Sequence, residues 1–357
     1  KFVLSNNRDE IYNFILDNKL FNYNYKYLTK DIYVKLNNLD FYNKNYDYHS
    51  IILPNNNIVI YGNNNKGILD YESSTNSIFN GILLNNKLEK LKHIIVRQMN
   101  YYLEKDDKID FILENIIHIL LYNYYDKFIS QLKFKINIKE KIIPPIYYVG
   151  TSNFNNYKNN LISIMPYLGN TLFETINSCN LSKYNLYDIF FQICFHLKIL
   201  QIMSGFMHRD LHAGNILVHK RDKHDIISYN FNNNNIKIKS EYKVYFIDFG
   251  QSCIDLSLCN KCDIKNKIFT KTTSYNYDEK KKNILISCEN NSHDLRILFS
   301  SLYDTIKYNK ELSELVLYFK DSIITRLEFV KVYRLLNVYD YLFDPDNLLY
   351  LITKHFK

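Results

Sequence analysis

The period of the apolar residues changes along the chain, and that change restricts the fold more than anything else in the sequence. Short apolar runs bounded by turn residues come first. Ile58-Val-Ile-Tyr61 reads as a strand stopped by Gly62, and Ile82-Leu-Leu84 and His93-Ile-Ile-Val-Arg-Gln-Met99 read as two more. Apolar residues then recur at helical spacing from about Ile109 to Phe128, Pro144-Pro145 breaks the chain, and Leu161-Ile-Ser-Ile-Met165 gives another strand. Leu186 to Met203 is a strongly apolar helix. Ile216-Leu-Val218 and Lys243-Val-Tyr-Phe-Ile247 are short strands, and the chain from about residue 294 reads helical. The insertion between those two strands contains Asn232 to Asn235 and predicts a flexible polar loop. Strands early and helices late predict an α+β protein with two lobes. Residues 1 to about 50 read as a helical extension on the partial period of Ile11, Phe14, Ile15 and Leu16. No internal repeat is visible.

The 357 residues are enough to bury a sizeable core, and 46% hydrophobic with 23% charged is ordinary for a folded protein. Collagen-like, disulfide-scaffold and acidic disordered classes are excluded. Lys, Asn, Ile, Tyr and Phe are enriched together while Gly falls to 8. These residues share A/T-rich codons, so the bias belongs to the genome rather than to the chemistry. The formal charge of +8 is spread out, with Lys280 to Lys282 the longest basic run, so no nucleic-acid partner is expected. No run of 18 apolar residues predicts a membrane span. The first residues, Lys1-Phe2-Val3-Leu4, do not lead into the apolar stretch of a signal peptide, and the missing Met suggests an excerpt of a longer protein. Six sparse cysteines predict a reduced, intracellular, cytoplasmic protein. Cys259-Asn-Lys-Cys262 is a lone C-x-x-C. A zinc site would need Cys253, Cys288 or His293 to complete its four ligands.

Two polar clusters follow apolar elements and so lie at the mouth of a core: His208-Arg-Asp-Leu-His-Ala-Gly-Asn215 and Ile247-Asp-Phe-Gly250. Phosphoryl transfer needs one carboxylate to accept or orient the nucleophile's proton. It also needs a second carboxylate and an amide oxygen to hold Mg²⁺ on the phosphates. Asp210, Asp248 and Asn215 supply that set.

On these residues the chain resembles the eukaryotic protein kinase family, over roughly residues 58 to 310. His208-Arg-Asp210 through Asn215 is similar to the catalytic loop, and Asp248-Phe-Gly250 to the metal-binding motif. The resemblance implies a bilobal fold with a small antiparallel N-lobe, about 51–168, and a mainly helical, shortened C-lobe, about 169–357. It implies Asp210 as catalytic base, Asn215 and Asp248 as Mg²⁺ ligands, and Arg209 as a partner for a phosphorylated activation loop. The phosphate could come to Thr270, Thr272, Thr273, Ser274 or Tyr275. Gly62-Asn-Asn64-Asn-Lys-Gly67 has the spacing of the glycine-rich loop, with Asn64 in place of the middle glycine. Arg97 stands where the third strand normally carries the phosphate-binding Lys, and Glu114, 17 residues on, is its implied ion-pair partner. Met165, Tyr167 and Leu168 fall in the hinge that lines the adenine site, and Asp294 resembles the buried Asp that supports the catalytic loop. The implied activity is transfer of the γ-phosphate of ATP, with Mg²⁺, to Ser or Thr hydroxyls of a protein substrate.

Several positions depart from the family pattern. Arg97 is not Lys, and guanidinium forks differently from ammonium. His212 replaces the usual Lys near the γ-phosphate, as in Haspin-like kinases. No Ala-Pro-Glu lies between Asp248 and Asp294, and the chain ends about 110 residues past Asp248. Divergent kinases of large DNA viruses share this style, which would place the protein in host cytoplasm or a virion. Two alternatives stay open. A small-molecule phosphotransferase of the aminoglycoside or choline kinase type shares His-x-Asp-Leu-His-x-x-Asn. A pseudokinase scaffold is suggested by Arg97, Asn64 and the lost docking motif.

Overall fold

Apolar residues spaced by two, which share one face of a strand, explain how the first sheet packs. The computed structural model describes residues 47–53, 56–63, 76–87, 89–99, 105–132, 141–154, 157–178, 181–231, 234–262, 267–269, 293–302 and 345–353. Strands β1 (Asp47–Ile52), β2 (Ile58–Asn63), β3 (Asn76–Leu84) and β4 (Lys90–Met99) pair antiparallel in sequence order. β6 (Tyr157–Pro166) then pairs with β4, and β5 (Tyr148–Phe154) closes the far edge, giving the order β1-β2-β3-β4-β6-β5. Val59 and Tyr61, Ile94 and Val96, and Ile162 and Ile164 each stand two residues apart. They bury one face with Ile51, Phe79, Leu83 and Tyr148. β1 begins inside the stretch assigned to the N-terminal extension, because Asp47 to Ser50 pair with Ile60 to Asn63. Residues 1 to 46 lie outside the described residues, as does the helical reading of Ile11 to Leu16.

The described residues divide into two compact units. One holds the sheet and the first part of helix α1 (Lys105–Gln131); the other holds residues 116–144 and everything from Leu168 on. The second unit is built on helix α3 (Lys183–Ser204). Ser182 caps its start by accepting from Asn185 N at 3.2 Å. Gly205, at φ 51°, ends it by donating to Gln201 O. α3 is buried on nearly all sides and is the one described helix long and apolar enough to cross a membrane. Yet 89% of its apolar window is buried inside the unit. It packs on β9 (Asn234–Phe246) and on α5 (Pro345–Thr353), where Lys198 pairs with Asp346 at 2.7 Å. Phe190 stacks on Phe299 of α4 (His293–Ser301).

Most of the insertion is strand rather than loop, and Asn232 and Asn233 lie outside the described residues. β8 (Ile216–Phe231) and β9 run as one long antiparallel hairpin. Ile227, Ile236 and Ile238 are buried on one face while Lys237 and Lys239 face out. Lys and Asn between the isoleucines hid this period-two pattern in the sequence. Asp188 of α3 fixes the hairpin to the helix: it accepts from Ser240 Oγ at 2.7 Å and from Gln192 Nε2 at 2.9 Å. The short strand β7 (Asn170–Thr171) adds to β8, and α2 (Leu172–Ser178) follows it. Gly169 sits at φ 97°, and a Cβ there would lie 2.7 Å from Val218 O, so no other residue fits.

Two sets of buried ionisable groups oppose one another in the second unit. Burial, helped by the charges of Lys243 and Arg221, pushes His196 down to about 3. Burial likewise pushes Asp188 up to about 6. An unfolded imidazole binds a proton near pH 6.5 whereas folded His196 does not, so its contribution to stability is complete above pH 6.5 and is lost on acidification. Asp188 acts in the opposite sense, holding a proton in the folded state below pH 6 that the unfolded chain releases. In His196→Gln, the slope of unfolding free energy against pH between 6 and 4.5 becomes shallower by about one proton, about 1.4 kcal/mol per pH unit. Urea unfolding at four pH values measures it, and an unchanged slope would refute the buried neutral imidazole.

Candidate functional site

The β8–β9 ladder ends where the polar clusters begin. Ile216 pairs with Phe246, so Asn215 and Ile247 emerge side by side, and Ile247 N donates to Asn215 O at 3.1 Å. The next residue, Asp248, is exposed and held at φ 62°. Arg209 is the other strained non-glycine here, at φ 66°. Such conformations persist only where the surroundings impose them. Around Arg209 those surroundings are visible. Asp294, at the start of α4, accepts from His208 N at 2.9 Å and Arg209 N at 2.7 Å. Ser301, at the end of the same helix, accepts from Ala213 N at 2.9 Å, and Ser252 Oγ donates to His208 O at 3.2 Å. Helix α4 therefore grips the loop at two points.

Between those points the loop folds on itself. Asn215 Nδ2 donates to Asp210 O at 2.9 Å and reaches Asp210 Oδ2 at 3.5 Å, leaving its amide oxygen as the end able to ligate a cation. His212 Nδ1 accepts from Gly214 N at 3.0 Å, so the proton of the neutral ring sits on Nε2, 3.9 Å from Asp210 Oδ2. Burial raises the Asp210 carboxyl. His212 works against that shift and the charge of Asp248 adds to it. Burial also pushes Asp294 up to about 6 despite its two backbone donors.

Behind the loop is an aromatic cluster. The fully buried His208 ring meets Ile247 O at 2.9 Å through Nε2, while its Nδ1 has no hydrogen-bond partner among the described residues. Burial pushes this imidazole down to about 4, so it is neutral. Phe249 packs on His208 with centroids 5.4 Å apart, on Phe206 at 6.0 Å and on His118 at 4.9 Å. The Asp248-Phe-Gly turn is thus anchored by its phenyl ring while its carboxylate faces outward.

The sequence expectations fall into three groups. Asp210, His212, Asn215 and Asp248 come together with buried Arg209, whose charge adds to burial in pushing the His293 imidazole down to about 4. Arg97 and Glu114 are brought together in the other unit as an ion pair, with the guanidinium 5.4 Å from the Phe111 ring centroid. In that unit Met165 pairs with Ile95, and Tyr167 N donates to His93 O at 3.0 Å; Leu168 begins the second unit. Gly62 continues β2, facing Tyr48, rather than stopping it. Asn64, Gly67 and the hydroxyls from Thr270 to Tyr275 lie outside the described residues. Ser301 and Ser252 gave no sequence signal, since each acts on backbone far away in the chain. The expectation of reduced cysteines fails at Cys253, Cys259 and Cys262, which are all disulfide-bonded, the last two to each other. The two sulfurs are therefore not available together as zinc ligands.

Asp248 and Asn215 carry hard oxygen donors of the kind Mg²⁺ prefers, while no group of three or more His, Cys, Asp or Glu able to hold a metal occurs among the described residues. No protein-family model matches the chain. Over 120 residues, 33% of its length, it is 29% identical to "Probable kinase 098L" of Invertebrate iridescent virus 3, and the match covers 23% of that protein. The relationship is kinase-like and partial.

Proposed function

We propose that this chain is an ATP- and Mg²⁺-dependent protein kinase of serine/threonine type, with the two units as the lobes of a kinase-like fold. The loop from His208 to Asn215 carries the proposal: its backbone is fixed by Asp294 and Ser301, and it presents Asp210 beside Asn215 and next to Asp248. The partial likeness to a viral protein named a kinase supports the same reading. Asp210 would orient the attacking hydroxyl and take up its proton as the new P–O bond forms, and the raised affinity of its carboxyl for a proton suits that role. Asn215 and Asp248 would hold Mg²⁺, which when bound offsets the negative charge of the phosphates. Arg97, oriented by Glu114, would contact phosphate oxygens through a fork where the family uses a point charge.

The test is phosphate transfer from labelled ATP to casein, histone, an aminoglycoside and choline in parallel, with wild type beside Asp248→Ala. Transfer to protein hydroxyls is expected, falling at least about 100-fold in the variant. Labelled aminoglycoside or choline would replace the protein substrate with a small molecule. Equal turnover by the variant would remove the metal assignment.

A further inference from the structure

We propose that Cys259 and Cys262 form a thiol–disulfide modification site, whose oxidised state fastens the chain after Asp248-Phe-Gly250 to the C-terminal end of helix α1. The two cysteines close a tight turn, with Cys262 N donating to Cys259 O at 3.2 Å and Cα atoms 5.4 Å apart. That separation is ordinary for bridged cysteines. The turn follows the 3-10 segment Leu256–Leu258 and is docked by three residues. Gln131, the last residue of α1, donates through Nε2 to Cys259 Sγ at 3.4 Å and accepts from Lys261 N at 3.3 Å through Oε1. Lys261 Nζ reaches Ser130 O at 3.3 Å and Ser130 Oγ at 3.1 Å. An ammonium at the carbonyl end of a helix is favourably placed for the helix dipole. The same side-chain amide therefore holds a cysteine sulfur and the backbone between the two cysteines, so the shape of the turn decides whether the dock exists.

The other end of this stretch is tied down independently. Cys253 N donates to Met207 O at 2.9 Å and Met207 N to Cys253 O at 3.0 Å, next to His208. Asp255 Oδ1 accepts from Ser257 N at 3.0 Å, starting the 3-10 segment. The bridge thus completes a tether that runs from the catalytic loop to the helix end. Both sulfurs are buried while Asn260 and Lys261 are exposed, so exchange requires the turn to open. The chemistry balances with oxidised glutathione as the co-reactant. One cysteine thiolate displaces a glutathione thiolate and forms a mixed disulfide. The second cysteine thiolate displaces the remaining glutathione and closes the ring. The protein loses two protons and two electrons, and one oxidised glutathione becomes two thiols.

The experiment uses the full chain equilibrated in glutathione buffers of graded ratio. N-ethylmaleimide blocks free thiols, and iodoacetamide labels the rest after reduction. Hydrogen exchange is followed in the same samples, which requires no catalytic activity. Cys259 and Cys262 are expected to oxidise together as one two-electron pair. Exchange of amides at 127–131 and 256–262 should slow by at least about 10-fold on oxidation, with α3 unchanged. Gln131→Ala should still form the bridge but lose the slowing at 127–131. Chemical reduction of Cys253→Ser, in which the disulfide at Cys253 is already absent, gives the reduced turn alone even if Cys259→Ser with Cys262→Ser fails to fold. Four outcomes would overturn the proposal: thiols that stay free in oxidising buffer, stable mixed disulfides, a zinc ion held by both thiols, or a bridge that leaves exchange at the helix end unaltered.

Discussion

On the proposed kinase reading, Asp210→Asn is expected to lower phosphate transfer from ATP by about 10²- to 10⁴-fold while leaving the melting temperature at or slightly above that of wild type. The substitution keeps the shape of the side chain. Asn215 holds the loop through the backbone carbonyl of residue 210, not chiefly through the carboxylate, so that hydrogen bond survives. What is lost is a group able to take up the hydroxyl proton. The carboxylate is also partly desolvated and faces the charge of Asp248, so neutralising it relieves an electrostatic cost. Loss of transfer with retained stability separates a chemical role from a structural one. Labelled-ATP turnover and a thermal melt on one preparation decide it, and a variant as active as wild type would end the assignment.

Asp294→Ala produces the largest loss of stability expected of any single substitution near the site. It strips two buried backbone donors, His208 N and Arg209 N, of their only described acceptor. Each unsatisfied buried group costs about 1–3 kcal/mol, so about 2–6 kcal/mol is expected. Arg209 is meanwhile released from its φ of 66°. Activity and stability should therefore fall together, unlike in Asp210→Asn. Asp294→Asn restores one acceptor and should recover roughly half of the loss. The carboxyl titrates near 6, raised above its unfolded value, so its ionisation lowers stability as pH rises through 6. The Asn variant lacks that dependence. Urea midpoints at pH 5 and 7.5 check both points, and a wild-type midpoint for Asp294→Ala would show that the latch carries no weight.

The chemistry-bearing residues were legible because they fall in two short motifs in a fixed order, not because their types are rare in this chain. Asp210, His212 and Asn215 lie within one loop, and Asp248 follows an apolar strand. The Arg97–Glu114 pair and the supporting Asp294 came from the family resemblance, which implied both. The other supports were not legible. Ser301 and Ser252 are ordinary serines until the chain brings them to Ala213 N and His208 O. The long hairpin was hidden because Lys and Asn occupy its outward positions, where composition bias meets no resistance, and only Ile227, Ile236 and Ile238 mark its inner face. The disulfide could not be read either, since spacing alone does not distinguish a bridge from a ligand pair.

The long hairpin also acts as a ruler. Its inner rungs, from Ile216↔Phe246 to Lys220↔Tyr242, are unbroken. The ladder then slips, so that Asp225 pairs with Ser240, and residues 221–224 on one strand face the single residue 241 on the other. The spacing between Asn215 and Asp248 is fixed by the inner rungs alone. The rungs beyond the slip do not enter it; they serve instead to hold the hairpin on α3, through Ser240 and Asp188.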